Sequence, residues 1–376
     1  MAWALAVVCL SLAAAGCVYL ACAALVAAGF MPETAPDAKE WPPVTILKPL
    51  RGGEPALSRN LASFCAQDYP RPVRIVFGVQ AADDEAIGVV KRLAAEFPDT
   101  DMRLVVDAEI HGTNRKISNL INMAPDIEDG LVVLADSDIE APAGYLRRVA
   151  AAFDQQGVGG VTCLYHGVPA DGFWSKLSAL AIDAHFLPSV LVGLRLGMAT
   201  PCFGSTIALR RADLDGIGGF AAFSNVLADD YAIGDALREK GLTIAVPRFL
   251  VGHTCAESSF AEVWRHELRW ARTIRTIDPW GYAGSGVTHP LGFALLAAAA
   301  GAPVQGATLA ILAIACRIVL LHVIVRSHSL PSPAYGLVPL RDLLSFATFV
   351  CSFCGRGVTW RGERYRVLRK GDLTPD

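Results

Sequence analysis

The first 30 residues of this chain contain no charged residue, and this stretch limits what the protein can be. About 20 consecutive apolar residues suffice for a helix to cross a bilayer, so residues 3–30 are predicted to form a transmembrane helix. A cleaved signal peptide is the alternative. No positive charge precedes the stretch, however, and it is too long for the apolar part of such a peptide. We therefore expect a chain attached to a membrane.

The excess of apolar residues returns only near the other end, at about 288–301, 303–325 and 336–354. Hydrophobic residues make up 53% of the chain and charged residues 18%, against about 45–50% and about 25% in soluble proteins. The uneven distribution disfavours both a purely soluble enzyme and a many-pass transporter. A net charge of −3 gives no field that favours nucleic acid.

Basic residues follow the first apolar stretch and do not precede it, which places the next domain in the cytoplasm. Two to three C-terminal crossings are expected, and an even number would return the basic tail to the same side, against anionic headgroups. The predicted parts are a transmembrane helix at 1–30, a cytoplasmic domain at 31–285, C-terminal membrane segments at 286–355 and a basic tail at 356–376.

Strands and helices alternate between the apolar ends, which predicts an α/β domain with a mostly parallel, Rossmann-like sheet. Ligands of such sheets bind at the carboxyl ends of the strands. The largely apolar segment 177–197 is either a core helix broken at Pro188 or a surface that dips into the membrane. The expected strands are 44–47, 73–79, 102–106 and 131–135, and the expected helices are 57–66, 87–97 and 116–123.

Asp136 and Asp138 follow the apolar strand at 131–135. Two carboxylates at a strand end suit Mg²⁺ or Mn²⁺, which complete their coordination with water and phosphate oxygens. The alternative is an acidic turn that only faces solvent. In a second acidic pair, Asp229 is expected to cap a helix while Asp230 points into a cleft, where nearby carboxylates would raise its pKa.

Helix 260–277 has a strongly basic half, with Arg265, Arg269, Arg272 and Arg275. Arginines bind diphosphates well, and a basic helix on the membrane surface is the competing interpretation. Two further segments are candidates for contacts with substrate. Lys116 ends a glycine-containing loop at a helix start, where phosphates bind. The loop around Gly204 is either a substrate loop or a close-packed lead into a strand.

In this order, the motifs resemble the GT-A glycosyltransferases, specifically the ceramide glucosyltransferase-like family, glycosyltransferase family 21. That family includes bacterial enzymes of hopanoid biosynthesis. The resemblance covers about residues 42–280. The matching stretches include Ile46-Leu47-Lys48-Pro49-Leu50, Asn114-Arg115-Lys116-Ile117-Ser118-Asn119-Leu120, Asp136-Ser137-Asp138, Ala228-Asp229-Asp230-Tyr231 and the segment from Arg265 to Trp270.

The resemblance implies one GT-A domain and an inverting transfer of sugar from a UDP-sugar to a lipid hydroxyl. Asp136 and Asp138 would bind Mn²⁺ or Mg²⁺ and the diphosphate, and Asp230 would be the general base. His266, Arg269 and Trp270 align with the family's (Q/R)xxRW element, in which the arginine would stabilise the departing UDP. The element departs from the family in starting with His266 rather than Gln or Arg, although Arg265 is adjacent.

One residue expected to bind the donor differs from the family's pattern. Ala81 stands where the family has an aspartate, and Asp83 or Asp84 would take over its contact with the nucleotide. Lys116 and Gly204 are expected to contact the donor as well. His185 falls where the family places a histidine linked to donor binding.

Two acceptors stay open, namely ceramide, which would receive glucose, and a hopanoid polyol, which would receive N-acetylglucosamine. The alanine-rich composition is typical of a high-GC bacterium, which points to the inner membrane and suits either acceptor. General resemblance to the family's bacterial members slightly favours the hopanoid. A processive polysaccharide synthase shares the acidic and RW elements but needs more crossings. A non-catalytic membrane protein would leave these side chains merely solvated.

Overall fold

The computed structural model describes residues 2–32 and 38–355 and the backbone of 357–360, 363–367 and 373–375. The helices are α1 Ala2–Gly29, α2 Leu57–Cys65, α3 Ala86–Glu96, α4 Arg115–Met123, α5 Tyr145–Ala152, α6 Gly172–Ala181, α7 Leu187–Arg195, α8 Arg211–Gly216, α9 Asp229–Glu239, α10 Phe260–Ile277, α11 Pro279–Gly284, α12 Pro290–Ala299, α13 Pro303–Ser327 and α14 Val338–Ser352. The strands are β1 Val44–Pro49, β2 Val73–Val79, β3 Asp101–Val106, β4 Leu131–Leu134, β5 Ile139–Glu140, β6 Val158–Thr162, β7 Leu164–Pro169, β8 Ile207–Arg210, β9 Thr243–Ala245, β10 Leu250–Cys255, β11 Gly357–Trp360, β12 Glu363–Val367 and β13 Leu373–Pro375.

A seven-stranded sheet forms the core, in the order β3-β2-β1-β4-β8-β6-β9. The first four strands are parallel, β8 runs antiparallel between β4 and β6, and β9 is parallel to β6. The predicted α/β class with a mostly parallel sheet is therefore confirmed. The seven elements predicted between residues 44 and 135 each lie within two residues of their observed bounds.

Both faces of this sheet are covered, which explains why its central strands are continuous apolar runs. Side chains alternate between the faces, as strand geometry requires. Ile46 belongs to the apolar cluster that also contains residues of α2, α3 and α5. Its neighbour Leu47 belongs to the cluster with residues of α4 and α9. The carboxyl ends of β1 and β4 are thereby fixed between two helical layers.

A second sheet, in the order β5-β10-β7, was not predicted. β5 begins directly after the acidic turn at 136–138 and pairs antiparallel with β10, so that His253 lies opposite Ile139. β10 pairs in parallel with β7 along its whole length. The small sheet therefore carries β10 up to the acidic turn.

Residues 172–195 form one continuous helix. α6 passes through a π-helical turn at Ile182–Phe186 into α7, with Pro188 in the first turn of α7. Of the two alternatives for this segment, a helix broken at Pro188 is therefore wrong. A π-turn frees backbone carbonyls from the regular α-helical pattern, and the carbonyl of Ala184 accepts a hydrogen bond from Arg317 Nη1 at 2.7 Å.

Among the residues that the structure describes, three helices are long and apolar enough to cross a membrane, namely Ala2–Gly29, the 172–195 helix and Pro303–Ser327. The first and third of these helices confirm the apolar segments predicted at 3–30 and 303–325. α12 has ten residues and α14 has 15, which is short of the roughly 20 needed to span the hydrocarbon. α1, α12 and α13 pack against one another. Of the three predicted C-terminal segments, only 303–325 reaches spanning length.

Arg317 lies within α13 and is fully buried by other segments. Besides Ala184, it donates to the carbonyl of Thr288 at 2.5 Å and pairs with Asp342 of α14, Nε to Oδ1, at 3.0 Å. Beyond α14, the backbone strands β11, β12 and β13 form an antiparallel sheet. The basic side chains of the tail, for which contacts with headgroups were predicted, lie outside the described residues.

Candidate active site

Asp136 follows β4 at the carboxyl edge of the large sheet, in close contact with the loop that leads into β8. Its backbone N–H donates to the carbonyl of Gly204 at 3.2 Å. A Cβ atom on Gly204 would lie 2.6 Å from Asp136 Oδ2. Only glycine therefore lets this loop pass so close to the carboxylate. Of the two interpretations of the Gly204 loop, the structure supports a close-packed segment that leads into β8.

Lys116 links the two acidic sites. Its Nζ lies 2.7 Å from Asp136 Oδ1 and 3.2 Å from Asp229 Oδ2. Asn114 caps α4, because its Oδ1 accepts from the backbone N–H groups of Lys116 and Ile117. Burial opposes the charge on Lys116, but the carboxylates of Asp136 and Asp229 outweigh it and raise the pKa of the lysine. This lysine orders the carboxylates, and its contact with phosphate stays a prediction.

Asp230 lies half-buried in the first turn of α9. The residue before the helix is Ala228, so the prediction that Asp229 caps the helix is wrong. Asp230 Oδ1 accepts from the N–H of Tyr231 at 2.8 Å, and Oδ2 accepts from the N–H of Gly204 at 3.3 Å. Burial, together with the Asp229 carboxylate, raises the pKa of Asp230 to about 6. A carboxylate of this basicity is suited to accept a proton near neutral pH.

Asp138 faces the small sheet. Its Oδ2 lies 3.4 Å from His253 Nε2, and its carbonyl accepts from the N–H of Thr254 at 2.8 Å. Its Oδ1 is buried without a hydrogen-bond partner. A buried carboxylate oxygen without a donor is costly unless a proton or a cation satisfies it.

The fit of a metal depends on how many ligands the protein must supply. Within residues 2–32 and 38–355, no three histidine, cysteine, aspartate or glutamate residues are grouped as a complete metal site. Asp136 and Asp138 offer two carboxylates, one with the unpartnered oxygen. That donor set suits a divalent cation that takes its other ligands from water and phosphate.

A pocket of about 420 Å³ opens between Asp138 and α10. His266 Nδ1 lies 2.6 Å from Glu257 Oε1, and the His266 ring packs against Trp270 with centroids 4.2 Å apart. Burial alone would raise the pKa of Glu257, but its bond to His266 and the histidine charge lower it to about 2. The lining residues are Glu54, Pro55, Asp138, His253, Thr254, Ala256, Glu257, Glu262, Arg265, His266 and Arg269.

Arg269 brings positive charge into this pocket beside the carboxylates. Burial lowers the pKa of its guanidinium, and the charges of Asp230 and Asp136 oppose that shift. The structure thus brings together Asp136, Asp138, Lys116, Gly204 and Asp230, and places His266, Arg269 and Trp270 beside them.

Two of the residues predicted to bind the donor have other contacts, and a third is exposed. Asp84 Oδ1 accepts from the N–H groups of Gly52 and Ala86 at 2.8 and 2.9 Å and so ties two loops together, while Asp83 is exposed. His185 Nε2 lies 2.8 Å from Asp342 Oδ1 in α14. For Asp83, Asp84 and His185, a role in donor binding stays a prediction.

The far end of the basic helix binds the residues that follow α14 instead of facing the pocket. Arg272 Nη2 donates to the carbonyl of Cys354 at 2.8 Å, and Arg275 Nη2 donates to that of Gly355 at 2.7 Å. Glu267, which lies between His266 and Arg269 along α10, pairs with Arg341 of α14. α10 therefore turns one face to the pocket and holds the C-terminal segment with another.

Three polar residues of the site were missed by the sequence analysis. His253 and Glu257 reach it through β10, whose short apolar pattern gave no distinct signal. Lys48, at the end of β1, is completely buried, and its Nζ donates to the carbonyl of Asp136 at 2.9 Å. Burial lowers the pKa of Lys48 to about 7, against the attraction of Asp136. Its signal was a lysine directly after the apolar run 44–47.

The family model described as glycosyl transferase family 21 matches residues 6–373, nearly the whole chain. The chain belongs to glycosyltransferase family 21. Among curated proteins, this family 21 chain is 27% identical over 232 residues to ceramide glucosyltransferase 1 of Caenorhabditis elegans, covering 61% of the chain and 49% of that protein. It is 27% identical over 204 residues to the ceramide glucosyltransferase of Komagataella phaffii, covering 49% and 40%.

The family 21 chain thus spans about half the length, or less, of these curated relatives. Among solved structures, it aligns with mannosyltransferase PcManGT from Pyrobaculum calidifontis, in complex with GDP-Man and Mn²⁺, at 21% identity and a TM-score of 0.49, covering 94% of the chain and 99% of that protein. With GalNAc-T7, bound to UDP, GalNAc and Mn²⁺, identity is 12% and the TM-score 0.43, over 58% and 45%.

Proposed function

We propose that this chain is an inverting glycosyltransferase that transfers a sugar from a UDP-sugar to the hydroxyl group of a membrane lipid. One observation carries the proposal: Asp230, with its raised pKa, lies across the Gly204 loop from the Asp136 carboxylate. A candidate base and a candidate diphosphate site thus meet at one loop. Membership of family 21 and the ceramide glucosyltransferases among the relatives support it.

In this proposal Asp230 accepts the proton of the acceptor hydroxyl as its oxygen attacks the anomeric carbon. The bond from that carbon to the UDP oxygen breaks on the opposite face, so the configuration inverts. The N–H of Gly204 holds one oxygen of Asp230 and orients the carboxylate. No covalent bond between sugar and protein is needed.

The departing diphosphate gathers negative charge, and Arg269 with Arg265 stabilises it from the pocket wall. Asp136 and Asp138 would hold Mn²⁺ or Mg²⁺, which when bound supplies positive charge to the diphosphate. Glu257 holds the imidazole of His266 against Trp270, which fixes this wall of the pocket.

The donor reaches the pocket from water, and the acceptor comes from the bilayer into which α1 and α13 are inserted. We propose that the catalytic domain faces the cytoplasm of a bacterium, on its inner membrane. Ceramide is the acceptor that the relatives' names favour. General resemblance to the family's bacterial members favours a hopanoid polyol. Both acceptors are compared in one assay.

The test uses the full chain in nanodiscs with Mg²⁺ or Mn²⁺, UDP-glucose and UDP-N-acetylglucosamine, and ceramide or bacteriohopanetetrol. We expect one pair to give a glycolipid whose anomeric configuration, read by NMR, is opposite to that of the donor. Asp230→Asn removes the reaction, and Asp215→Asn, on the exposed helix α8, does not. The absence of product from every pair, or retained configuration, would refute the proposal.

A further inference from the structure

The loop that follows α7 exposes apolar side chains next to a cation. Leu196 is 64% exposed and Met198 76%, and the adjacent Arg195 is exposed as well. We call residues 195–198 the α7 loop. Exposed apolar side chains beside a basic residue are typical of a segment that meets a membrane surface, because the apolar groups enter the lipid while the cation stays at the headgroups.

α7 lies against the helices that are long enough to cross the membrane. Leu187 and Leu191 share an apolar cluster with residues of α1 and α13, and Ser189 accepts a hydrogen bond from Tyr19 at 3.4 Å. α1 has 28 residues, which gives a length of about 42 Å, whereas the hydrocarbon is about 30 Å thick. The bilayer boundary therefore falls about 20 residues along α1, at the level where α7 packs.

The other end of the 172–195 helix is on the aqueous side. Near the start of α6, the ring of Trp174 lies 5.8 Å from that of Phe260 on α10, the helix that lines the pocket. α6 also packs on β7 and β10. Sheets with open edges do not occur inside lipid hydrocarbon. The 172–195 helix therefore runs from the catalytic domain to the membrane helices, which it meets from Ala184 onwards through Arg317 of α13 and Tyr19 of α1.

The chain returns from the α7 loop to the active site along α9. The carbonyl of Thr200 accepts from Arg238 Nη1 at 3.5 Å, near the end of α9. Four residues later, the N–H of Gly204 binds Asp230 at the start of α9. The eight residues from Arg238 to Asp230 correspond to about 12 Å of helix. One short segment thus joins the bilayer surface to the candidate base.

We propose that the α7 loop inserts into the surface of the bilayer and forms the place where the acceptor lipid leaves the membrane on its way to Asp230. Leu196 and Met198 contact the lipid chains, and Arg195 contacts the phosphate headgroups. The inference rests on the proposed function, since it names the surface through which that active site receives its lipid.

The experiment compares one acceptor in two forms, a long-chain lipid in phosphatidylcholine–phosphatidylglycerol vesicles and a short-chain, water-soluble analogue. The variant is Leu196→Asp/Met198→Asp. The matched control is Ala94→Asp/Ala95→Asp, which adds the same charges to the exposed surface of α3. α1 and α13 are unchanged, so both variants are expected to cofractionate with vesicles like the wild type.

We expect the loop variant to raise KM for the vesicle acceptor at least tenfold, with the KM of the UDP-sugar and kcat/KM for the soluble analogue within twofold of wild type. The control variant leaves all three unchanged. Unchanged activity on vesicles, or an equal loss with both acceptors, would overturn the inference. The proposed function fails separately, if the wild type glycosylates neither acceptor.

Discussion

The contact between α10 and α14 provides the sharpest test of how the membrane-side segment supports the active site. Arg341 is 0% exposed and binds Glu267 through both carboxylate oxygens, Nη1 to Oε1 at 2.6 Å and Nη2 to Oε2 at 2.7 Å. Arg341 also donates to the carbonyl of Leu177 at 3.3 Å. Glu267 lies on α10 between His266 and Arg269, so this pair holds the helix that forms the pocket wall.

Replacing Glu267 with Met leaves a buried guanidinium without its counter-charge. Breaking such a pair costs about 3–5 kcal/mol, whereas replacing both partners by apolar residues is often neutral. With about 2–4 °C per kcal/mol, we expect Glu267→Met to lower the Tm in detergent by at least about 6 °C. The double variant Glu267→Met/Arg341→Met should lose less than either single variant.

UDP affinity is the second measurement, since α10 also carries Arg269. We expect the single variants to lose affinity for UDP and the double variant to regain part of it. The exposed pair of Arg211 and Asp215, at 3.0 Å, is the matched control, and Asp215→Asn should change stability by less than about 1 kcal/mol. Strictly additive effects of the two α10–α14 substitutions on Tm would refute the reasoning.

Four further predictions concern the pocket. Asp230→Asn should lower transfer by about 10²–10⁴-fold, with UDP affinity nearly unchanged in a binding titration. A parallel loss of UDP affinity would contradict the role of Asp230 as the general base. Gly204→Ala should displace the Asp136 carboxylate, since the added Cβ would lie 2.6 Å from Oδ2. We expect it to lower transfer at least tenfold with little change in Tm. In the control Gly216→Ala, the added Cβ meets nothing within 4 Å, so both transfer and Tm should stay unchanged. The pKa of Glu257 is lowered from 4.5 to about 2, so its contribution of about 3 kcal/mol to stability is present above pH 4.5 and lost as the pH falls towards 2. In urea unfolding, Glu257→Gln should therefore destabilise the protein at pH 7 and much less near pH 2. An equal loss of stability at both pH values would exclude this linkage. Chelation of divalent cations should stop transfer, and added Mn²⁺ or Mg²⁺ should restore it, whereas full activity in excess chelator would exclude the metal.

The large sheet could be predicted because its information is local. β1, β2 and β4 are buried on both faces, and such strands are continuous apolar runs in the sequence. The acidic turn after β4 could be placed at a ligand edge for the same reason, since the carboxyl ends of parallel strands meet there. The position of Asp136 thus followed from the strand before it.

The small sheet depends on pairing across long stretches of chain, and no local pattern specifies it. β5 has two residues, and β10 pairs with it from more than a hundred residues away. His253 enters the site only through this pairing. The partners of charged residues are equally non-local. Arg272, for which a diphosphate or the membrane surface was the expected partner, binds the carbonyl of Cys354, which periodicity along α10 cannot reveal.

Arg317 has a consequence for the synthesis of the chain. An arginine at the centre of a membrane helix costs about 2.5–3.5 kcal/mol on insertion, and α13 offers it no partner of its own. Its acceptors are the carbonyls of Ala184 and Thr288 and the carboxylate of Asp342. Ala184 belongs to a helix that leaves the ribosome well before α13. A catalytic domain that failed to fold would therefore deprive Arg317 of one of its three acceptors, whereas Thr288 and the counter-charge of Asp342 come from the C-terminal segments themselves.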